Sequence, residues 1–129
     1  MNARWQGEPI RRRVFSSAAA AILFVLLVLP TLAGIRLAHH FDWRLIVGYL
    51  AIAHLLTLFL YWQDKRRAEA NAWRTPESTL HLLELCGGWP AAFVAQRVFR
   101  HKISKRSYQA GFWFIVVLHQ FVSFDYLQR

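Results

Sequence analysis

The chain has 129 residues, of which 56% are hydrophobic and only 18% are charged. This length allows one domain, and the composition is too apolar for an ordinary soluble domain of this size. Lysine and arginine number 16 against 7 acidic residues, which argues against a basic partner. The single cysteine, Cys86, excludes an internal disulfide and a multi-cysteine metal site within one chain.

The first predicted element is a membrane helix over residues 14–35. This run of 22 residues carries no charge and follows the basic segment 1–13, which ends in three consecutive arginines. Length and flanking charge are typical of a membrane span whose N-terminal side lies in the cytoplasm.

A second uncharged run, residues 45–62, predicts a second span that ends in the interface-type rings Tyr61 and Trp62. Residues 63–78 are polar, and Asp64 to Ala72 can continue this helix beyond the membrane surface. Thr75, Pro76 and Glu77 then form a typical helix start, with Thr75 expected as the cap. A new helix is therefore expected near Pro76.

The next apolar segment, residues 76–99, is interrupted by Gly87, Gly88 and Pro90. Both residue types disfavour a continuous helix. Each half has about nine residues and reaches roughly 13 Å, which is less than half of a hydrocarbon core of about 30 Å. This pattern predicts a re-entrant hairpin or a kinked helix, followed by a last span over residues 108–127.

The positions of lysine and arginine favour the hairpin. Arg97 lies inside the segment and is left out of this count. If residues 76–99 return to the side they left, 12 basic residues lie on the side of the N-terminus and 3 on the other; a full crossing gives 9 and 6. Because basic residues concentrate in the cytoplasm, we predict an all-α integral membrane protein with three transmembrane helices and one re-entrant or kinked segment. It would lie in the bacterial inner membrane with a cytoplasmic N-terminus. Four transmembrane helices remain the alternative.

The hairpin would bring two basic links to one cytoplasmic face. Arginine and lysine at a membrane surface bind phosphate oxygens, so this face predicts an anionic partner, most simply phospholipid head groups, or an anionic small molecule. No cofactor is expected. The predicted anion contacts are Lys65, Arg74, Arg100, His101, Lys102 and Lys105. The predicted structural or orienting residues are Asp64, Glu77, Glu84, Arg97, Gly87, Gly88 and Pro90.

Glu84 and Arg97 lie on the two halves of the interrupted segment, at similar predicted depth. Charged groups inside a membrane are usually paired. We therefore expect a buried Glu84–Arg97 pair, with either a functional or a purely structural role.

Three other functions stay open beside the non-enzymatic binding of an anionic partner. A membrane enzyme acting on a phosphorylated or activated lipid could use Glu77 or His101 as its acid–base group. A haem could be held by His54 and His119, which lie near the middle of two spans. Recruitment of nucleic acid is not favoured, because the basic run at 100–106 lacks interleaved aromatic residues.

Four ordered motifs are similar to a known family. They are Tyr61-x-x-Asp64-Lys65-x-x-Ala68, Trp73-Arg74-x-x-Glu77-x-x-Leu80, Gly87-Gly88-Trp89-Pro90 and Arg97-x-x-Arg100-His101-Lys102-x-x-Lys105. Over residues 58–120 the chain resembles the bacterial membrane family called domain of unknown function 1294. The resemblance implies a compact set of membrane segments, fused in some members to a nucleic-acid-binding cold-shock domain. It supplies no established activity. The positions at which it implies that family function would reside are Asp64, Lys65, Arg74, Glu77, Gly87, Gly88, Arg100, His101, Lys102 and Lys105.

Overall fold

In the computed structural model, which describes residues 15–73, 75–99 and 105–129, all regular structure is helical. The helices are α1 (Ser17–Ala38), α2 (Trp43–Glu69), α3 (Glu77–Leu83), α4 (Trp89–Val98) and α5 (Arg106–Gln128). Three of them, α1, α2 and α5, are long and apolar enough to cross a membrane. These findings confirm the all-helical prediction with three helices of membrane length.

Capping residues define where the long helices begin. The Ser16 hydroxyl accepts a hydrogen bond from the Ala19 amide at 3.0 Å, and an Asp42 carboxylate oxygen accepts one from the Arg44 amide at 2.9 Å. Each satisfies an amide that has no partner inside its helix. α2 continues past its apolar run, and the chain leaves the helix through Asn71, whose φ is 52°.

The start of α3 corrects one prediction. A helix begins near Pro76 as expected, but Thr75 is not its cap: the first helical residue is Glu77, and Pro76 occupies the cap position without a side-chain cap bond. The Thr75 amide instead donates to an Asp64 carboxylate oxygen at 3.0 Å. Because that bond ties Thr75 to the end of α2, the helix starts one residue later.

α1 and α5 run parallel to each other. The Gln120 side-chain amide donates to the Leu26 carbonyl oxygen at 2.6 Å, and the Arg36 guanidinium donates to the Tyr126 and Leu127 carbonyl oxygens at 2.9 Å. Earlier residues of α1 therefore contact earlier residues of α5, and later residues contact later ones. The ends of both helices therefore lie at the same end of the bundle, which we call the far end; the opposite end, where α2 ends and α5 begins, is the basic end.

The segment after α2 first runs along α2 toward the far end. Thr75 contacts Asp64, and the Cys86 carbonyl oxygen accepts a hydrogen bond from the Tyr49 hydroxyl. The fifteen residues between Tyr49 and Asp64 correspond to about 22 Å of helix. The turn at 84–88 therefore lies well inside the bundle.

The same segment then returns along α2. The Gln96 side-chain amide donates to the Tyr61 hydroxyl oxygen at 3.2 Å, so α4 ends close to the level at which α3 began. The reversal occurs at Gly87, whose φ of 107° is in the region that favours glycine. Pro90 lies in the first turn of α4, where a missing amide costs nothing. The predicted position of the break is thus confirmed.

The core is formed around α4, which packs mainly against α2, while α5 packs mainly against α1. Its largest fully buried rings are Trp89, Tyr61, Tyr108, Phe93 and Phe112. The outer faces of the long helices are apolar and exposed, as Phe24 (74%) and Leu45 (72%) illustrate. Large exposed apolar faces of this kind suit contact with lipid rather than with water.

Candidate functional site

A buried carboxylate is the centre of the candidate site. Glu84 begins the turn between α3 and α4 and is fully buried. Its Oε1 atom accepts hydrogen bonds from the hydroxyls of Tyr61, on α2, and Tyr108, on α5, the latter at 2.7 Å. Its Oε2 atom lies 2.7 Å from Nδ1 of His81, on α3. Three helices therefore supply partners to one carboxylate.

The network extends through amide and aromatic contacts. The two tyrosine hydroxyls are also in hydrogen-bond contact with each other. Gln96 contacts the Tyr61 hydroxyl, and its side-chain oxygen accepts from the Gln109 amide at 2.8 Å. The His81 ring stacks on Tyr108 with centroids 4.3 Å apart. Each buried polar side chain in this network has a partner, as burial requires.

Two glycines let the helices approach closely enough to build this network. A Cβ atom at Gly111 would lie 2.9 Å from His81 Nε2. A Cβ atom at Gly88 would overlap the Thr57 hydroxyl and lie 2.9 Å from the Leu83 carbonyl oxygen. Gly88 therefore has a packing role against α2 that is separate from the backbone reversal at Gly87.

The expected Glu84–Arg97 pair does not form among the described residues, and that prediction is wrong. The Arg97 guanidinium lies 3.6 Å from the centroid of the Phe93 ring and donates to the Phe93 carbonyl oxygen at 3.2 Å. Partial burial lowers the pKa of this guanidinium from its ordinary value, because desolvation disfavours the charged form. Glu84 obtains its partners from α2, α3 and α5 instead.

The structure places some of the predicted charged residues at the basic end. Lys105 and Glu77 form an ion pair between the start of α5 and the start of α3, with Lys105 half-exposed. Asp64 is fully buried and accepts from Thr75, and Lys65 is half-buried. The remaining predicted contacts lie outside the described residues: Arg74, Arg100, His101 and Lys102.

A basic cleft of about 330 Å³ lies on the last turns of α2. The Arg66 guanidinium lies 4.9 Å from the centroid of the Trp62 ring, an arrangement in which cation and ring attract each other. Arg67 is the second guanidinium of the cleft. The lining residues are Trp62, Gln63, Arg66, Arg67, Ala70 and Ala72.

An apolar groove of about 510 Å³ lies toward the far end, between α1, α2 and α5. Tyr49, whose hydroxyl contacts the Cys86 carbonyl, is part of its wall. The turn at 84–88 reaches the level of this residue, since a Cβ atom at Gly87 would lie 3.7 Å from the Leu50 side chain. The half of the bundle at the far end, the far half, surrounds this groove, and the lining residues of the groove include no counterpart to the Glu84 network.

The two histidines considered for haem bond their own helices. His54 Nδ1 lies 2.6 Å from the Leu50 carbonyl oxygen, and His119 Nδ1 lies 2.8 Å from the Ile115 carbonyl oxygen. No group of three or more metal-ligating side chains occurs within the described ranges.

Sequence reasoning missed most partners of Glu84. Tyr61 was interpreted as an interface ring, and His81, Gln96, Tyr108 and Gln109 were not selected. One signal was available: His81 and Glu84 are three residues apart, which places them on one face of a helix. The tyrosines carry no such local signal.

Fold and site together define a helical protein with three helices of membrane length and a buried polar network where a broken segment meets α2 and α5. Residues 54–108 match the model of a family described as "Protein of unknown function (DUF1294)". This match confirms the family resemblance for that part of the chain, which includes the broken segment and ends at Tyr108.

This chain is also similar to a bacterial protein. The chain is 28% identical over 74 residues to "Uncharacterized protein YsdA" of Bacillus subtilis (strain 168), which covers 57% of this chain and 83% of the relative. No solved structure gives a significant match.

Proposed function

We propose that this chain is a multi-pass protein of the bacterial inner membrane whose basic end faces the cytoplasm and binds anionic phospholipid head groups. The predicted contacts Lys65 and Lys105 lie at this end. We add Arg66 and Arg67, because they line the cleft at the end of α2.

The cleft is the observation that carries this proposal. It combines two guanidinium groups with Trp62, a ring type enriched at the membrane interface. No carboxylate lies within ion-pair distance of Arg66 or Arg67 in the part of the chain that the structure describes. Guanidinium groups without an internal partner are suited to bidentate contact with phosphate oxygens.

The path of the chain supports the proposed topology. α1 and α5 are parallel, while α2 follows α1 through a short link and returns. If residues 77–98 crossed the membrane completely, α5 would run opposite to α1. The parallel arrangement and the return of α4 to Tyr61 therefore favour three crossings and a re-entrant hairpin, with both basic links on one side.

Lipid binding is tested by titrating short-chain dioctanoyl phosphatidylglycerol into the purified full chain in a zwitterionic detergent, followed by isothermal titration calorimetry. Each basic residue near an anionic surface contributes about 1 kcal/mol, so the Arg66→Gln, Arg67→Gln double variant should bind about thirtyfold more weakly. The variant Arg44→Gln is the matched control, because this exposed arginine lies beside Trp43 at the far end.

Dioctanoyl phosphatidylcholine and inorganic phosphate are the comparison ligands. Tighter binding of phosphatidylglycerol than of either one is expected. Equal affinities of the double variant and Arg44→Gln for phosphatidylglycerol would refute the assigned cleft. The variant Arg100→Ala, Lys102→Ala extends the same assay to predicted contacts outside the described residues.

Topology has its own test. In a Cys86→Ser background, single cysteines replace Lys102 or Gln128, and a membrane-impermeant maleimide is applied to intact and to permeabilised cells. We expect the cysteine at position 102 to react only after permeabilisation and the one at position 128 to react in intact cells. The opposite pattern would contradict the proposed topology: either residues 76–99 cross the membrane and separate the two basic links, or both links face the outside.

A further inference from the structure

The Glu84 network has more oxygen–oxygen contacts than hydrogens to occupy them when Glu84 is ionised. Three oxygen atoms are in mutual hydrogen-bond contact: the hydroxyl oxygens of Tyr61 and Tyr108, and Oε1 of Glu84. Each of the three contacts can hold one hydrogen. When Glu84 is ionised, the two hydroxyls supply only two. One of the three contacts therefore holds no hydrogen while Glu84 is ionised, and the carboxylate can take up a further proton at its other oxygen, Oε2, which faces His81.

Charge balance points in the same direction. Glu84, Tyr61 and Tyr108 are fully buried, and a buried carboxylate is costly unless it is paired or neutralised. Within the described residues no lysine or arginine lies within ion-pair distance of Glu84; its titratable neighbour at Oε2 is His81, which carries a charge only when protonated. One added proton, on Glu84 or on His81, leaves the network neutral overall.

The groups around Glu84 identify where this proton enters. α2 contributes Tyr61, α5 contributes Tyr108, and α3 contributes His81, whereas α4 contributes Gln96, which does not titrate. Of the titratable groups, the His81 side chain retains 24% exposure while the others retain none. His81 is therefore the member of the network that reaches the protein surface.

We propose that Glu84, Tyr61, Tyr108 and His81 form a proton-binding site that exchanges with water through the His81 ring. A proton from water binds Nε2, the Nδ1–H bond breaks, and its hydrogen forms the O–H bond on Glu84 Oε2. The reverse steps release it. This chemistry uses the two nitrogens of one imidazole as acceptor and donor. It is independent of lipid binding at the cleft.

Infrared difference spectroscopy of the full chain in lipid nanodiscs tests the site. As pH is lowered, a carbonyl stretch of one protonated carboxylic acid should appear with a single-proton titration curve and shift in D₂O. Glu84→Gln should abolish it, while Asp64→Asn, which removes another fully buried carboxyl group, should leave it. A Glu84-dependent band of constant intensity at every pH, or no such band, overturns the proposal.

Two further variants keep the test decisive if Glu84→Gln does not fold. Tyr108→Phe keeps the acid and removes one donor, so the band should move in frequency; an unchanged band overturns the assignment to this network. His81→Asn should slow proton uptake after a pH jump at least tenfold, and an unchanged rate overturns the entry route. Asp125→Asn, at an exposed site on the last turns of α5, is the control for general effects.

Discussion

The half of this bundle at the basic end, the basic half, and the far half are packed in different ways. In the basic half, α3 and α4 fill the space between the long helices and bury a carboxylate, two phenols and one carboxamide, that of Gln96. In the far half, α1, α2 and α5 surround an apolar groove. Polar groups inside a membrane need partners; at the far end Arg36 finds them in the backbone carbonyls of α5, whereas the broken segment allows side chains from three helices to bond one another.

The difference shows what the broken segment contributes. A continuous long helix in place of the broken segment would fill the bundle with apolar contacts. Its interior backbone groups would all be bonded within the helix. A segment that reverses at Gly87 instead places a helix end, with Glu84, beside two other helices. The polar network is therefore a consequence of the break. The far half shows how the long helices pack where this network is absent.

The largest test of this contrast removes the carboxylate. Glu84→Ala should lower the free energy of unfolding by about 3 kcal/mol or more, because two buried hydroxyls and His81 lose their shared acceptor. Ser123→Ala, in the wall of the far groove, should change it by roughly 0.5 kcal/mol or less. Unfolding in mixed micelles with increasing SDS measures both, and similar losses would end the distinction between the halves.

Glycine substitutions compare packing density in the two halves. Gly88→Ala forces a methyl group against Thr57 and the Leu83 carbonyl, and overpacking of this kind costs about 1–3 kcal/mol. Gly34→Ala meets nothing within 4 Å and improves helix propensity, so it should be neutral or stabilising by up to about 1 kcal/mol. Thermal unfolding of the two variants in one detergent checks this; a destabilised Gly34→Ala would show that the groove is more tightly packed than its volume indicates.

Tyrosine-to-phenylalanine substitutions give the smallest expected effect. Tyr61→Phe removes one buried hydrogen bond to Glu84 and should cost about 1 kcal/mol. Tyr126→Phe, at the far groove, removes a hydroxyl outside that network and should cost less. In a double-mutant cycle, Tyr61→Phe and Tyr108→Phe should be non-additive, because both hydroxyls serve one oxygen. Strict additivity would contradict a shared acceptor.

The sequence predicted the parts of this structure that have local causes. Long uncharged runs indicated the three helices of membrane length, and Gly87 with Pro90 indicated the break, because each signal lies within one segment. Thr75 was misassigned because its amide is bound by Asp64, eleven residues earlier. The partners of Glu84 were not predictable in the same way, since Tyr61 and Tyr108 are 47 residues apart and become neighbours only after the helices pack.

The hydrogen bond from Tyr108 to Glu84 also determines when, during synthesis of the chain, Glu84 can obtain all of its partners. Tyr108 follows Glu84 by 24 residues and opens the last helix. When the ribosome has just completed α3 and α4, their carboxylate has Tyr61 and His81 available but not its third partner. The broken segment therefore reaches its final set of bonds only after the beginning of α5 has emerged, so a chain truncated before Tyr108 would keep Glu84 without one of its donors.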